Sequence, residues 1–430
     1  MLNLALLGAR IDQKEQLLRQ ASLWLAPART GNLVNLASRT VPITFTRSTT
    51  TTFLDKDGLL KTAGIDVPVI EYDANGKCLG LRVWGSVTNS LPRSEELDSA
   101  AWGKDAVTVA ANAGASPAGS TTADKVVENS TNSFHVISNY VSGFALGTDL
   151  VLSIYAKAAG RTRFRLQTDA TAGTGTADFD LSAVTATAAT GIFSRASISN
   201  EGGGWYRCSV ICTCSASGAI GIKVILAQTG YGVAYLGDGI SGLFLWGGQI
   251  QPGNILGPYV PTTTIAASSA ADVLSITGAD AARIINGDSL TIFAKARRGY
   301  GGNFVGYPNL YSVNDGSLNN QIQCYGTING TALTNLPIRS NNIAQTDYVQ
   351  IAETTTNPFA IAQALSANDS LFAGKGTLTA TDTSVTMPIG LNKISIGSDY
   401  AGINQWTGYI EEFAMFRSRL QNRDLILLTQ

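Results

Sequence analysis

The sequence predicts an all-β protein: two antiparallel β-sandwich (jelly-roll) modules behind an N-terminal amphipathic helix and a hairpin-rich adaptor. Three observations carry this reading. Apolar segments of strand length recur along most of the chain, separated by turns rich in Gly, Asn and Asp. Between them almost nothing shows helical periodicity. Charged residues are only 14% of the chain, against roughly 25% in ordinary globular domains. Thr, Ser, Asn, Gly and Ala must therefore build much of the surface. At 430 residues and 44% hydrophobic content, the chain can form two or three units with cores of their own.

The elements follow in order. Ile11, Leu18, Ala21 and Leu25 recur near helical spacing, which predicts a helix over 11–25 ended by Pro27. One such helix buries its stripe on the next domain, on symmetry mates or in a larger particle. Residues 1–30 are thus read as a docking segment. The apolar start, Met1 to Leu7, lacks a basic flank and runs into Arg10, Asp12, Lys14 and Glu15. Ordered chain is expected there rather than a secretory leader. Residues 31–92 carry turns at Asp55-Lys56-Asp57-Gly58 and Asp73-Ala74-Asn75-Gly76. Too small and polar for a separate core, they are read as an extended adaptor.

Residues 93–264 hold the first expected sandwich. Its strands include Leu150–Lys157, Arg163–Gln167, a cysteine strand at 205–214, Gly221–Leu226 and Leu243–Trp246. A polar stretch from Thr262 to Ser269 then links to residues 265–430. There, Ser289–Ala294, Lys393–Gly397 and Gly408–Phe416 read as strands, and Leu420–Leu428 as a closing helix.

Composition excludes several function classes. Thirty basic against thirty-one acidic residues leave no excess to neutralise a phosphate backbone, so nucleic acid is not expected as a partner. No apolar run reaches the roughly 18 residues that read as a membrane span. Cys208, Cys212 and Cys214 share one face of a strand, with Cys212 and Cys214 about 6.5–7 Å apart at Cα. That spacing suits neither a relaxed disulfide nor a zinc tetrahedron. With Cys78 and Cys324, these cysteines are read as small buried residues of a protein assembled in a host cytoplasm.

His135 is the only histidine, and its setting, Ser133-Phe134-His135-Val136, alternates like a strand rather than a catalytic loop. Glycoside hydrolysis needs two carboxylates facing one cleft. The adjacent Glu411 and Glu412 fall on opposite faces of their strand. No catalytic residue is expected.

Several stretches resemble bacteriophage tail-fibre and virion-associated proteins. Thr46-Arg47-Ser48, Phe53 to Gly58, Val67 to Tyr72 and Cys78 to Leu81 look like the adaptor that precedes a "TNLLPRSEEFDNAAW" motif in phage structural proteins. That motif stands here as Thr88-Asn89-Ser90-Leu91-Pro92-Arg93-Ser94-Glu95-Glu96-Leu97 to Trp102. The module it opens is similar to jelly-roll carbohydrate-binding modules, with Tyr155-Ala156-Lys157-Ala158, Gly204-Trp205-Tyr206-Arg207 and Trp246-Gly247-Gly248-Gln249-Ile250 at family positions. Gln249-Ile250-Gln251 lacks the family's usual acid, which puts that acid's role in doubt. Gly397 to Leu428 is similar to the end of a concanavalin-A/laminin-G-like jelly roll.

These resemblances imply a non-catalytic fibre or spike protein in a virion, homo-oligomeric with a trimer favoured. Other virion proteins would be met through residues 1–92, and host surface polysaccharide through the sandwiches. A purely structural neck, collar or capsid-decorating role is the alternative, and a glycan-degrading enzyme a third. The sugar-binding candidates are the aromatic and polar residues of 297–315, Arg297, Arg298, Tyr300, Asn303, Tyr307, Asn309, Tyr311, Asn314 and Asp315, with Tyr231 and Tyr235 as a second set. Trp205, Trp246 and Trp406 lie on apolar strands and are expected in the core. Calcium, the one cofactor considered, would be sought at Glu96 and Asp238.

Overall fold

The computed structural model describes residues 13–37, 41–299, 307–326, 333–345, 351–352, 358–379 and 381–430. It is all-β, built on two sandwiches. One of them is assembled from both ends of the chain. Its first sheet has the order 377–378, 369–374, 359–366, 289–298, 408–416, 78–83, 70–72, and Leu23–Leu25 also pairs with 408–416. Its second sheet runs 44–46, 273–277, 393–396, 309–314, 321–326, 333–335, 351–352, with 338–340 also pairing with 321–326 and 343–344 with 338–340. Strand alternation fills two apolar layers. Ile292, Phe413 and Met415 face the inter-sheet core with Leu25, Phe45, Tyr311 and Ile394. Their chain neighbours Phe293, Ala414 and Phe416 face outward, where Trp24 and the C-terminal helix Asn422–Thr429 cover them through Leu425 and Leu428.

The second sandwich is inserted into the first. Its sheets run 193–200, 206–213, 149–159, 242–252, 121–128, 107–115, and 185–186, 173–180, 163–170, 218–227, 136–144, 103–105. Leu152, Ile154, Phe164, Phe179, Cys208, Cys212 and Val224 fill the space between them. None of the five cysteines is in a disulfide, and all but Cys78 are buried. The chain leaves for this sandwich at Val87–Asn89 and returns at Ala267–Ser269, and these two segments pair antiparallel. Asn89 is wholly buried beside this double crossing. Its Nδ2 donates to the carbonyls of Gly248 (3.0 Å) and Val260 (2.9 Å), while its Oδ1 accepts from the N–H groups of Leu91 (3.0 Å) and Ile250 (3.1 Å).

Two sequence expectations change. The helix expected over 11–25 is helical at 13–18 among the described residues, and Leu23–Leu25 is a strand. All three of its residues are buried, because Leu23 and Leu25 face one apolar layer and Trp24 the other. Pro27 opens the short helix Pro27–Thr30 rather than only stopping one. The 31–92 segment does not stand apart as an adaptor. Thr44–Thr46 pairs with 273–277, and Cys78–Val83 pairs with Gly408–Ile410. Leu81 and Val83 thereby enter the core of a sandwich most of whose strands lie about two hundred or more residues away. The hairpin of Thr51–Leu54 and Leu60–Ala63 instead packs on the inserted sandwich, where Leu60 joins Tyr155, Trp205, Trp246 and Tyr259. A close approach fixes this seam: Gly202 has φ +84°, and a Cβ there would lie 2.9 Å from the Gly58 carbonyl oxygen.

Candidate functional site

Most residues named from sequence serve the fold. Tyr311 is fully buried, donates its hydroxyl to Gln363 Oε1 (2.8 Å) and meets Phe413 edge-on. It is core rather than sugar platform, because 309–314 is a central strand and not a loop. Asn309 and Asn314, on the same strand, are buried, and Asn309 donates from Nδ2 to the Tyr307 carbonyl (2.7 Å). Arg298 is buried with its guanidinium over Trp406. Arg297 pairs with Glu411 through Nε at 2.9 Å. Asp315 is occupied locally, accepting from Ser317 and Asn320. Tyr307 is exposed, its ring edge-on to Tyr325 at 5.3 Å. Tyr300 and Asn303 lie outside the described residues.

Tyr235 is likewise structural. It is buried against His135 and donates to Glu128 Oε2 (2.6 Å). Glu128 also accepts from Arg161 Nε (2.8 Å) and the Asp238 N–H (2.9 Å). Burial works to raise its carboxyl, but these donors outweigh it and hold the group below the ordinary carboxylate value. His135 is buried with Nδ1 2.8 Å from the Ala106 carbonyl and Nε2 3.2 Å from that of Tyr235. Tyr231 is half-exposed under the Arg163 guanidinium.

The calcium candidates are each engaged elsewhere. Glu96 pairs with Arg93 at 2.5 Å, and Asp238 accepts from the N–H groups of Ile240 (2.8 Å) and Ser241 (2.7 Å). Among the described residues no group of three or more His, Cys, Asp or Glu could hold a metal. Glu411 and Glu412 face opposite ways: Glu411 meets Lys295 and Arg297, and Glu412 accepts from Trp24 Nε1 at 2.9 Å. Trp205, Trp246 and Trp406 are buried. The first two are sealed under the Leu60 hairpin and offer no ring face to a ligand.

The fold assembles a different site, in a cleft of about 250 Å³ between the two sandwiches. Glu71, Tyr72, Arg82, Trp84 and Tyr409 come from the sandwich built by both chain ends, and Glu201, Arg207 and Leu256 from the inserted one. Aromatic edges form one wall, where Trp84 and Tyr409 lie 6.2 Å apart and tilted at 56°.

The two guanidiniums are anchored from behind. Arg82 donates from Nη1 to the Thr52 carbonyl (2.6 Å) and from Nη2 to Thr51 Oγ1 (2.9 Å), with Glu71 3.5 Å away. Arg207 donates from Nη1 to the Gly257 carbonyl (2.8 Å) and from Nη2 to Ser153 Oγ (3.2 Å). In both, Nε is buried with no acceptor within the chain, which leaves a donor that costs about 1–3 kcal/mol unless something else satisfies it.

Gln249 and Gln251 hold the cleft's lip. Gln249 Oε1 accepts from the Val260 N–H (2.8 Å), and Gln251 takes the Gly257 N–H (3.0 Å) while donating to the Ile255 carbonyl (2.8 Å). A neutral amide can accept and donate at once, as this loop requires, whereas a carboxylate can only accept.

The cleft's charge is balanced but crowded. Desolvation pushes the Glu201 carboxyl up to about 6, opposed by the Ser199 hydroxyl and Arg207 and reinforced by the nearby Glu71. Burial likewise pushes the Tyr409 hydroxyl well above its ordinary value. Sequence reading missed this site because its residues are scattered over 71–409 and no single motif joins them. The one local sign is Gly204-Trp205-Tyr206-Arg207, which supplies Arg207.

No family model matches the sequence, and no curated protein matches it. Among solved structures, the chain is similar to the carbohydrate-binding module CBM40 of the Ruminococcus gnavus IT-sialidase bound to α2,3-sialyllactose. The identity is 17%, covering 35% of this chain and 88% of that one, with a TM-score of 0.31. Domain 4 of AbnA, a GH43 extracellular arabinanase from Geobacillus stearothermophilus in complex with arabinotriose, is 10% identical over 40% of this chain and 81% of that one, TM-score 0.30. The NanB sialidase of Streptococcus pneumoniae is 13% identical over 35% of this chain and 26% of its own, TM-score 0.29. These neighbours are carbohydrate-binding modules and sialidase or arabinanase domains with β-sandwich folds.

Proposed function

We propose that this chain is a non-catalytic, glycan-binding fibre or spike protein of a bacteriophage virion, with its sugar held in the cleft between the two sandwiches. The observation that carries the binding reading is a cleft in which Trp84 and Tyr409 stand beside Glu71, Arg82, Glu201 and Arg207, drawn from both sandwiches. Sugars present many hydroxyls and flat C–H faces, which suit a lining of charged side chains and aromatic edges. The virion assignment rests on the phage-like motif from Thr88 to Trp102. The same reading assigns attachment to other virion proteins to residues 1–92 and assembly to a homo-oligomer, with a trimer favoured.

Calorimetric titration with solubilised host surface polysaccharide tests the binding. Association in the millimolar-to-micromolar range is expected, and Tyr409→Ala should weaken it about tenfold by removing one aromatic wall. Equal affinity in the variant would move the site elsewhere. No binding by the wild-type chain would leave the structural neck or collar role.

A further inference from the structure

The second sheet of the sandwich built from both chain ends has an open edge. Thr44–Thr46 is its terminal strand and pairs on one side with 273–277. Just past it, Asp66 takes the other side. Its N–H donates to the Arg47 carbonyl (3.0 Å), and its Oδ1 accepts from the Arg47 N–H (2.9 Å). Backbone N–H and C=O groups alternate in direction along a strand, so those of Phe45 face the same side as those of Arg47. There, beside residues 43–45, lies a groove of about 770 Å³ lined also by residues 33–36, Val41 and Pro68. Its floor is core, since Val41 and Phe45 belong to the inter-sheet cluster and Leu33 and Ile43 pack against it. Val34 on its wall, and Ile65 and Val67 on either side of Asp66, are 44%, 58% and 48% exposed. Among the described residues no backbone group pairs with this side of Phe45. An unpaired edge beside apolar side chains is a template for one more strand.

Such an edge accepts an extended segment with apolar side chains at every second position. Residues 1–12 lie outside the described residues, and Leu2-Asn3-Leu4-Ala5-Leu6 has leucine at every second position, ahead of Gly8. The described chain begins on the groove's side of the sandwich. Glu15 pairs with Arg29 (3.1 Å), the Arg29 guanidinium lies over the Trp24 ring, and the Trp24 N–H donates to Oδ1 of Asn35, a groove residue (3.1 Å). The steps from Leu6 to Gln13 span up to about 25 Å when extended. We propose that residues 2–6 of this same chain dock as an added strand against Phe45, with Leu2, Leu4 and Leu6 in the groove. The docked strand pairs the free Phe45 edge and covers Val34, Ile43 and the inter-sheet core beneath them.

Disulfide trapping in the full chain tests the docking. Leu4→Cys combined with Val34→Cys should oxidise to a link within one chain, monomeric on a non-reducing gel and identified as a joined peptide pair by mass spectrometry. Leu4→Cys combined with Leu146→Cys, an exposed position in the inserted sandwich, should give no such link. In a chain lacking residues 2–7, hydrogen exchange at residues 43–45 should quicken about tenfold or more, because an edge amide without a partner loses its protection. A synthetic peptide of residues 1–8 added to that chain should restore the protection. The same peptide carrying Leu4→Asp should bind about tenfold or more weakly, since it takes a carboxylate into an apolar groove. Links formed only between chains would overturn the same-chain assignment and give the groove to a neighbouring copy. Equal linking of Leu4→Cys to positions 34 and 146 would overturn the docking, as would exchange at residues 43–45 that the deletion leaves unchanged.

Discussion

Replacing Asn89 offers a sharp test of how the inserted sandwich is held. The side chain is fully buried and makes four hydrogen bonds to backbone groups, two as donor and two as acceptor. Two donated and two accepted bonds fill its capacity within the chain. Asn89→Leu keeps the branched outline, with somewhat more bulk, but deserts the carbonyls of Gly248 and Val260 and the N–H groups of Leu91 and Ile250. Each such bond contributes about 0.5–1.5 kcal/mol net, and a buried group left alone costs about 1–3 kcal/mol. Some of the four will recover water or shift, so the expected loss is roughly 3–5 kcal/mol, at the severe end for a single substitution. Urea unfolding followed by tryptophan fluorescence should show the earliest transition moving to lower denaturant. Trp102 and Trp246, in the inserted sandwich, should report that transition. Asn89→Ala, run in parallel, separates lost volume from lost bonds, and the two should fall within about 1 kcal/mol of each other. A loss under about 1 kcal/mol in the Leu variant would falsify the view that this asparagine clamps the junction.

Other expectations follow from the same geometry. Asp272→Ala should cost about 3–5 kcal/mol by calorimetry, because Arg47 and Asp272 form an ion pair with side chains 0% and 2% exposed, and the guanidinium would stay buried without its counter-charge; a neutral outcome contradicts this. Glu201 should make stability pH-dependent. Its folded value of about 6 lies above the ordinary 4.5, so the folded state holds the extra proton. The contribution is complete below pH 4.5, falls as pH rises through 6, and amounts to about 2 kcal/mol at most. Urea midpoints from pH 4 to 7 should show that decline in the wild type relative to Glu201→Gln, and parallel profiles would refute it. Tyr311→Phe should lower stability by about 1–2 kcal/mol, through the stranded Gln363 oxygen, while leaving glycan affinity unchanged. Weakened binding in that variant would return the site to the 309–314 strand.

The sequence by itself determined which residues face inward within a strand. Cys208 and Cys212 lie on one buried face, the strand at Gly408–Phe416 has the bounds its pattern indicates, and Glu411 and Glu412 part to opposite sides. Period-two alternation is a local property, so it can be read without knowing the partners. Partner choice is not local. Leu23–Leu25 looks helical in its own context and becomes a strand only because Phe413–Met415 lies alongside it. Cys78–Val83 looks like stem and becomes core through Gly408–Ile410. The same limit hid the cleft. Arg82, Arg207 and Tyr409 carry no common spacing, and a concave site exists only where two surfaces meet. Tertiary structure also moved Tyr235 and Tyr311 from candidate platforms to buried hydrogen-bond donors, since a tyrosine's sequence neighbours do not say whether its hydroxyl will find an acceptor inside. Alternation settled the strands and their buried faces. The joining of distant strands decided that one sandwich would interrupt the other and leave a cleft at the junction.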